Sequence, residues 1–170
     1  MFTDYLLVDG YNVIFAQNKE LYEDNIDAAR EDLINKLCNF AGVNKVKVIL
    51  VFDAYKVVGG EGSVEERSGI YIVYTKEAQT ADSFIERTTH ELSKNHTVTV
   101  ATSDGLEQVI IMGKGALRMT AKELLAQLDM TRTEITRYIQ KKKPVKNNML
   151  VDNLDKNSAD FLEKLRRTKN

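Results

Sequence analysis

The chain of 170 residues holds one cysteine, one proline and two histidines. Each scarcity excludes something. A single cysteine, Cys38, forms no intramolecular disulfide, which fits a reducing cytoplasm. It falls in the helical pattern of Leu33, Ile34, Leu37, Phe40 and Ala41 and reads as a core residue. With only His90 and His96 beside it, a structural Cys/His zinc site is not expected. No apolar run approaches the ~18 residues of a membrane-spanning helix. The opening Met1-Phe-Thr-Asp-Tyr5 has no basic stretch ahead of an apolar one, so no secretory signal is expected. The glycine-rich stretch from Lys56 to Gly69 lacks both the Gly-Lys-Ser/Thr ending of a P-loop and dinucleotide-binding spacing.

Charge is scarce only in the sum. The formal net charge is −1, yet residues 1–110 carry 10 Lys/Arg against 18 Asp/Glu, while residues 111–170 carry 14 against 7. An acidic body beside a basic C-terminal third points to a cation-requiring centre next to a polyanion-binding surface, or to a plain solvated basic face.

The apolar pattern alternates strands with helices. Tyr5-Leu-Leu-Val-Asp9 reads as a buried strand running into Gly-Tyr-Asn12, and Gly10 there lets the backbone turn away beneath a substrate. A turn or short helix follows. Asn25 or Asp24 can cap a helix over about 26–41, with Gly42 as its stop. Lys45–Phe52 becomes wholly apolar, as in a parallel strand buried on both faces, and ends at Asp53. Lys56–Gly69 reads as a loop, either a surface excursion or a substrate-facing flap carrying Arg67. Ile70–Thr75 is the next strand. Thr80 caps a helix over about 81–94, which sets Asp82 and Glu86 one turn apart on one face. Thr97–Thr102 is a strand leading into Ser103-Asp104, with a helix over 106–112 and a short strand over 116–119 after it.

Thr120-Ala-Lys-Glu123 is a capping-box pattern opening a helix to about Met130. Thr131 or Thr133 starts another to about Lys142, and the only proline, Pro144, closes the run Lys141–Lys143. A last amphipathic helix is expected over 158–167. The expectation is therefore an α/β domain over 1–130 and a basic helical extension over 131–170, packed on or beside it.

Strands alternating with helices imply a parallel sheet whose functional crevice lies at the carboxyl ends of the strands. Asp9, Asp53 and Asp104 fall at that edge, and Asp82 reaches it from a helix N-terminus. Carboxylates gathered at one edge repel each other and must protonate or bind cations. Oxygen ligands without Cys or His suit Mg²⁺ or Mn²⁺. That donor set fits in-line phosphate chemistry, with one ion activating water and a second about 4 Å away stabilising the leaving oxygen. Asp9, Asp82 and Asp104 are the candidate ligands, Glu86 can hold a metal-bound water, and Asn12, Asp53 and Ser103 can orient water, ligands or phosphate. Residue by residue, other roles stay open. Asp9 and Asp104 can cap helices, Asp82 and Glu86 suit a helix N-terminus, and Asp53 can be a turn residue.

Asp9-Gly-Tyr-Asn12, Val51-Phe-Asp53-Ala54, Thr80-Ala-Asp82-Ser-Phe-Ile-Glu86 and Thr102-Ser-Asp104 together resemble the NYN branch of the PIN-like nucleases, closest to the YacP-type bacterial proteins. The resemblance covers residues 5 to about 130. It implies a PIN-like three-layer α/β/α sandwich with a central, mainly parallel sheet, Mg²⁺ or Mn²⁺ dependence, and endoribonuclease activity on mRNA in association with the ribosome. The family's acidic positions match Asp9, Asp82 and Asp104, with Asn12, Asp53 and Glu86 supporting.

Lys114, Arg118, Arg132, Arg137, Lys141, Lys142 and Lys143, with Arg67 from the loop, are candidate contacts to RNA phosphates. The same basic surface can equally contact ribosomal RNA. Tyr11, Tyr55 and Tyr138 can stack on bases or pack inward. Two other functions fit parts of the pattern. One is a non-catalytic RNA- or ribosome-binding module that keeps the acids for folding. The other is a phosphorelay receiver, which requires an acidic pair after strand one where this chain has Asp9 alone.

Overall fold

The computed structural model describes residues 3–17, 25–53, 62–76, 79–103, 113 and 115–142. Asp104, Lys114, Lys143, Tyr55 and the helices expected over 106–112 and 158–167 lie outside the described residues. The chain divides into two units, Met1–Glu134 and Ile135–Asn170.

Among its described residues the first unit has six strands: β1 (Tyr5–Asp9), β2 (Lys47–Phe52), β3 (Ser63–Arg67), β4 (Ile70–Tyr74), β5 (Val98–Ala101) and β6 (Leu117–Met119). Their order across the sheet is β3-β4-β2-β1-β5-β6, and every pairing is parallel except β3 with β4. β1, β2 and β5 are almost wholly buried because helices cover both faces, which explains their continuous apolar runs. The helices are α1 (Gly10–Gln17), α2 (Ile26–Asn44), α3 (Ala81–Leu92) and α4 (Ala121–Lys142). On one face Leu6, Val8, Val48 and Leu50 pack with Val13 and Ile14 of α1, Leu33 and Leu37 of α2, and Leu124 and Leu128 of α4. On the other, Leu7, Val51, Val73 and Val100 pack with Ala81 and Ile85 of α3. The result is the expected α/β/α sandwich.

Local chemistry explains most boundaries. Ala28 N–H donates to Asn25 Oδ1 at 3.0 Å and Ser83 N–H to Thr80 Oγ1 at 3.2 Å, so α2 and α3 open on side-chain caps. At α4, Glu123 N–H donates to Thr120 Oγ1 (3.2 Å) while Thr120 N–H donates to Glu123 Oε2 (2.7 Å), a reciprocal capping box.

Three boundaries differ from expectation. Gly42 does not stop α2, which continues to Asn44 and ends where Lys45 takes a left-handed φ of 54°. The loop over 56–69 contains an edge strand, β3, antiparallel to β4. Thr131 and Thr133 do not start a new helix. Their hydroxyls donate back to the carbonyls of Gln127 (3.0 Å) and Asp129 (2.9 Å), and α4 runs on unbroken. In the second unit the described end of α4 is exposed, with Lys142 Nζ 4.5 Å from the Tyr138 ring centroid.

Candidate active site at the carboxylate edge

The strand order reverses beside β1. From β1 the chain moves outward to β2 and on to β3 at the margin, returns one place to β4, and α3 carries it to β5 on the opposite flank. The carboxyl ends of β1 and β5 therefore form the switch point at which open α/β sheets bind ligands.

Asp9 is the last residue of β1 and is buried at 8 % exposure. Its Oδ1 accepts the backbone N–H of Asn12 at 3.1 Å. No Lys or Arg among the described residues pairs with it. Burial pushes its carboxyl from 3.8 up to about 6. The Asn12 N–H pulls the other way, and the negative charges of Asp82 and Asp53 push it higher still. Three sequence-distant acids thus share one electrostatic neighbourhood.

Each partner is set by a different element. Asp53 follows β2, and its Oδ2 accepts the Ala81 N–H at 3.4 Å, at the start of α3. Asp82 is the exposed next residue in that first turn, and Glu86 lies half-buried one turn on. Asn12 lies in the first turn of α1 and spans the switch point. Its Nδ2 donates to Thr102 Oγ1 at 3.3 Å, and its Oδ1 accepts Ser103 N–H at 3.1 Å. Asn12 therefore ties Asp9 to the exit of β5 with one backbone and two side-chain bonds.

Gly10 is constrained by the ring beneath it. A Cβ there lies 2.3 Å from Phe52 Cε1 and 2.6 Å from Cδ1, so the ring of Phe52 occupies the space a side chain needs. Glycine at this position is required by packing beneath the edge.

The structure brings Asp9, Asn12, Asp53, Asp82 and Ser103 to one edge, with Glu86 a turn away along α3. Among the described residues no group of three or more His, Cys, Asp and Glu stands close enough to hold a metal ion. Thr102 went unpredicted as a site residue. Its hydroxyl is wholly buried, and its importance depends on β5 lying beside β1.

The described basic candidates of the first unit, Arg67, Arg118 and Arg132, stand on three different elements. Arg67 is at the opposite end of the sheet. It pairs with Ile70 at the start of β4, about 13 Å along the strand from Tyr74, and its Nη1 binds Glu31 Oε2 of α2 at 2.8 Å. That pairing corrects the expectation of a substrate-facing flap. Arg118 is exposed on β6 and lines a groove of about 440 Å³ with Thr3, Leu6, Phe40 and Val46, toward the amino ends of the strands. Arg132 is exposed on α4. Arg137, Lys141 and Lys142 are exposed in the second unit. Tyr11 is buried at 7 % exposure, which removes it as a base-stacking surface.

Comparison with known proteins points one way. The model of the YacP-like NYN domain matches residues 6–167. A Bacillus subtilis (strain 168) protein described as uncharacterized protein YacP is 40 % identical over 141 residues, 81 % of this chain and 82 % of that one. The crystal structure of Rae1 (YacP) from B. subtilis superposes with a TM-score of 0.71 at 37 % identity, covering 96 % of this chain and 95 % of that chain. A crystal structure of a mutant of the same B. subtilis protein gives a TM-score of 0.70 at 33 % identity, covering 95 % and 99 %.

Proposed function

The chain belongs to the YacP-like NYN domain family, a nuclease-type, RNA-related assignment, and from that premise we propose that it is a metal-dependent endoribonuclease cutting mRNA on the ribosome. One observation carries the reading. Asp9 is a buried carboxylate at the sheet's switch point, flanked by two further acids and paired with no described cation. A buried charge without a counter-charge is costly, and a hard divalent cation is the partner that an all-oxygen donor set selects.

Asp9, Asp82 and Asp104 would hold Mg²⁺ or Mn²⁺. The bound ion supplies a lowered pKa for water and neutralises charge growing on the leaving oxygen. Asn12 keeps the Asp9 carboxylate turned to the edge through its backbone N–H and fixes the exit of β5 through its amide. Asp53 anchors the first turn of α3 and so sets the height of Asp82. Glu86 and Ser103 orient water and phosphate. Asp9 must be deprotonated to act, so activity rises with pH through about 6 at low metal concentration. The basic C-terminal third supplies sequence-independent contacts to RNA phosphates of message or ribosome, in the cytoplasm.

The decisive experiment is cleavage of a translated message, with and without ribosomes, by wild type, Asp9→Asn and Asp82→Asn. Both variants are expected to lose cleavage and keep RNA or ribosome binding, and EDTA to silence the wild type. Full activity in EDTA or in both variants refutes the proposal. Ribosome binding with no cleavage under any candidate metal identifies a non-catalytic binding module.

A further inference from the structure

On the α3 face of the sheet the outermost strands lie open. α3 packs over β1, β2 and β5, and β4 and β3 extend beyond it. Val64 of β3 stands opposite Val73 of β4, so the two side chains share that face. Val73 is buried, while Val64 is 69 % exposed. A groove of about 240 Å³ is formed there, with Val64, Val73, Phe84, Lys76 and Gln79 among its lining. A lone exposed valine is ordinary. This one walls a groove that adjoins the carboxylate edge.

The groove and the edge share the start of α3. Gln79 and Phe84 flank the turn in which Asp53 Oδ2 accepts the Ala81 N–H at 3.4 Å, and Asp82 follows directly. Phe84 is half-buried, and no other ring stacks on it among the described residues. Lys76, two residues past the end of β4, is exposed and pairs with no described carboxylate. Its stem lies against Gly62, where φ is 78° and a Cβ would stand 2.8 Å from Lys76 Cγ. Glycine at position 62 thus gives the lysine stem its place on the rim.

Size and charge select the occupant. The volume falls below the roughly 300–1,000 Å³ of sites for drug-sized ligands and suits a single planar base. Among the described lining residues Lys76 carries the only charge, which favours an anion. Glu66 follows Val64 on the same face about 7 Å farther from the edge, so a phosphate is favoured at the Lys76 end. A second copy paired along β3 would bring the exposed Glu65 and Glu66 of both chains together.

We propose that this groove is a nucleotide subsite for single-stranded RNA, with one base lying against Phe84 and Val64 and its phosphate on the Lys76 ammonium. This rests on the endoribonuclease reading and deepens it, since the strand is then gripped beside Asp53 and Asp82 as well as by the basic third. An apolar wall accepts any base and a phosphate contact is sequence-blind, so the subsite sets strand position without selecting sequence.

The test is anisotropy titration of a short fluorescein-labelled single-stranded RNA, on an Asp9→Asn background with Mg²⁺ so that cleavage does not intervene. Phe84→Leu is expected to weaken binding about tenfold and Phe84→Tyr to keep it, because base stacking survives only in the second. Val64→Glu, at an exposed position, is expected to weaken it at least as much. Lys76→Gln is expected to flatten the slope of log K against log salt by about 0.7, with Lys76→Arg retaining it. Melting curves confirm that each variant is folded. Binding within twofold of the background in folded Phe84→Leu and Val64→Glu, or an unchanged salt slope in folded Lys76→Gln, overturns the inference. So does a dimer, seen by light scattering, that Val64→Glu dissolves without moving RNA affinity, since the margin then belongs to a second copy. None of these results touches the nuclease proposal, which stands or falls on cleavage of a translated message.

Discussion

Asp9→Asn is expected to make the metal-free protein more stable at neutral pH. In the folded chain the Asp9 carboxyl titrates at about 6 against 3.8 for an ordinary aspartate. The folded state therefore binds its proton more tightly than the unfolded state does. Stability attributable to this group is fully present below pH 3.8, declines as pH rises, and is gone above about 6. At roughly 1.4 kcal/mol per pH unit, the displacement corresponds to about 3 kcal/mol. Asp9 is buried at 8 % exposure, so solvent screening removes little of this. An asparagine keeps an oxygen for the Asn12 N–H, so the bond of 3.1 Å can persist while the charge disappears. The net gain for Asp9→Asn at pH 7.5 in EDTA is about 2–3 kcal/mol, or some 5–10 °C in Tm for a chain of this size. Thermal melts followed by circular dichroism, from pH 3.5 to 7.5, check it: the two curves should coincide at acid pH and separate through the window. Adding Mg²⁺ or Mn²⁺ should raise the wild-type Tm and leave the variant unmoved, since a ligand stabilises only the state that binds it. Equal melting temperatures at every pH would refute the claim that burial and neighbouring acids strain Asp9.

Other substitutions probe the frame of the same edge. Gly10→Ala drives a methyl to 2.3 Å from Phe52 and is expected to cost about 1–3 kcal/mol, read by urea denaturation, with Phe52→Leu relieving part of it in a double-mutant cycle. Thr102→Val removes the acceptor of Asn12 Nδ2 from a fully buried position; a loss of about 1 kcal/mol and reduced cleavage at unchanged RNA affinity are expected. Arg67→Ala breaks an exposed pair with Glu31 at the far end of the sheet, so RNA cleavage should match wild type and stability should move by less than about 1 kcal/mol in a thermal melt.

What was legible in the chain follows from how burial writes itself into sequence. β1, β2 and β5 are covered on both faces, so their apolar runs and the acids that end them are visible without a structure. The convergence of Asp9, Asp53 and Asp82 follows once parallel strands are inferred, because such strands all finish at one edge. β3 was not legible. It sits at the sheet margin with Ser63, Val64, Glu65 and Glu66 all exposed, so nothing in Ser-Val-Glu-Glu-Arg marks a strand. Its polar composition is how an unpaired edge avoids association. Thr102 escaped for a related reason. A buried hydroxyl acquires meaning only from neighbours brought close by strand order. Arg67 misled because the antiparallel register of β3 on β4, which carries it away from the edge, is not visible in a glycine-rich polar stretch.

The pairing of β1 with β5 also constrains when the protein can act. Tyr5 lies opposite Val98, and Asn12 closes on Thr102 and Ser103, so the two halves of the edge meet across 90 residues of chain. Long-range contacts of this kind form late, after the intervening loop has been closed. While the chain is still being made, β1 can pair only with β2, and Asn12 has nothing to clasp. On the proposed endoribonuclease reading, the edge is incomplete by topology until β5 has been synthesised and has crossed to the far side of β1.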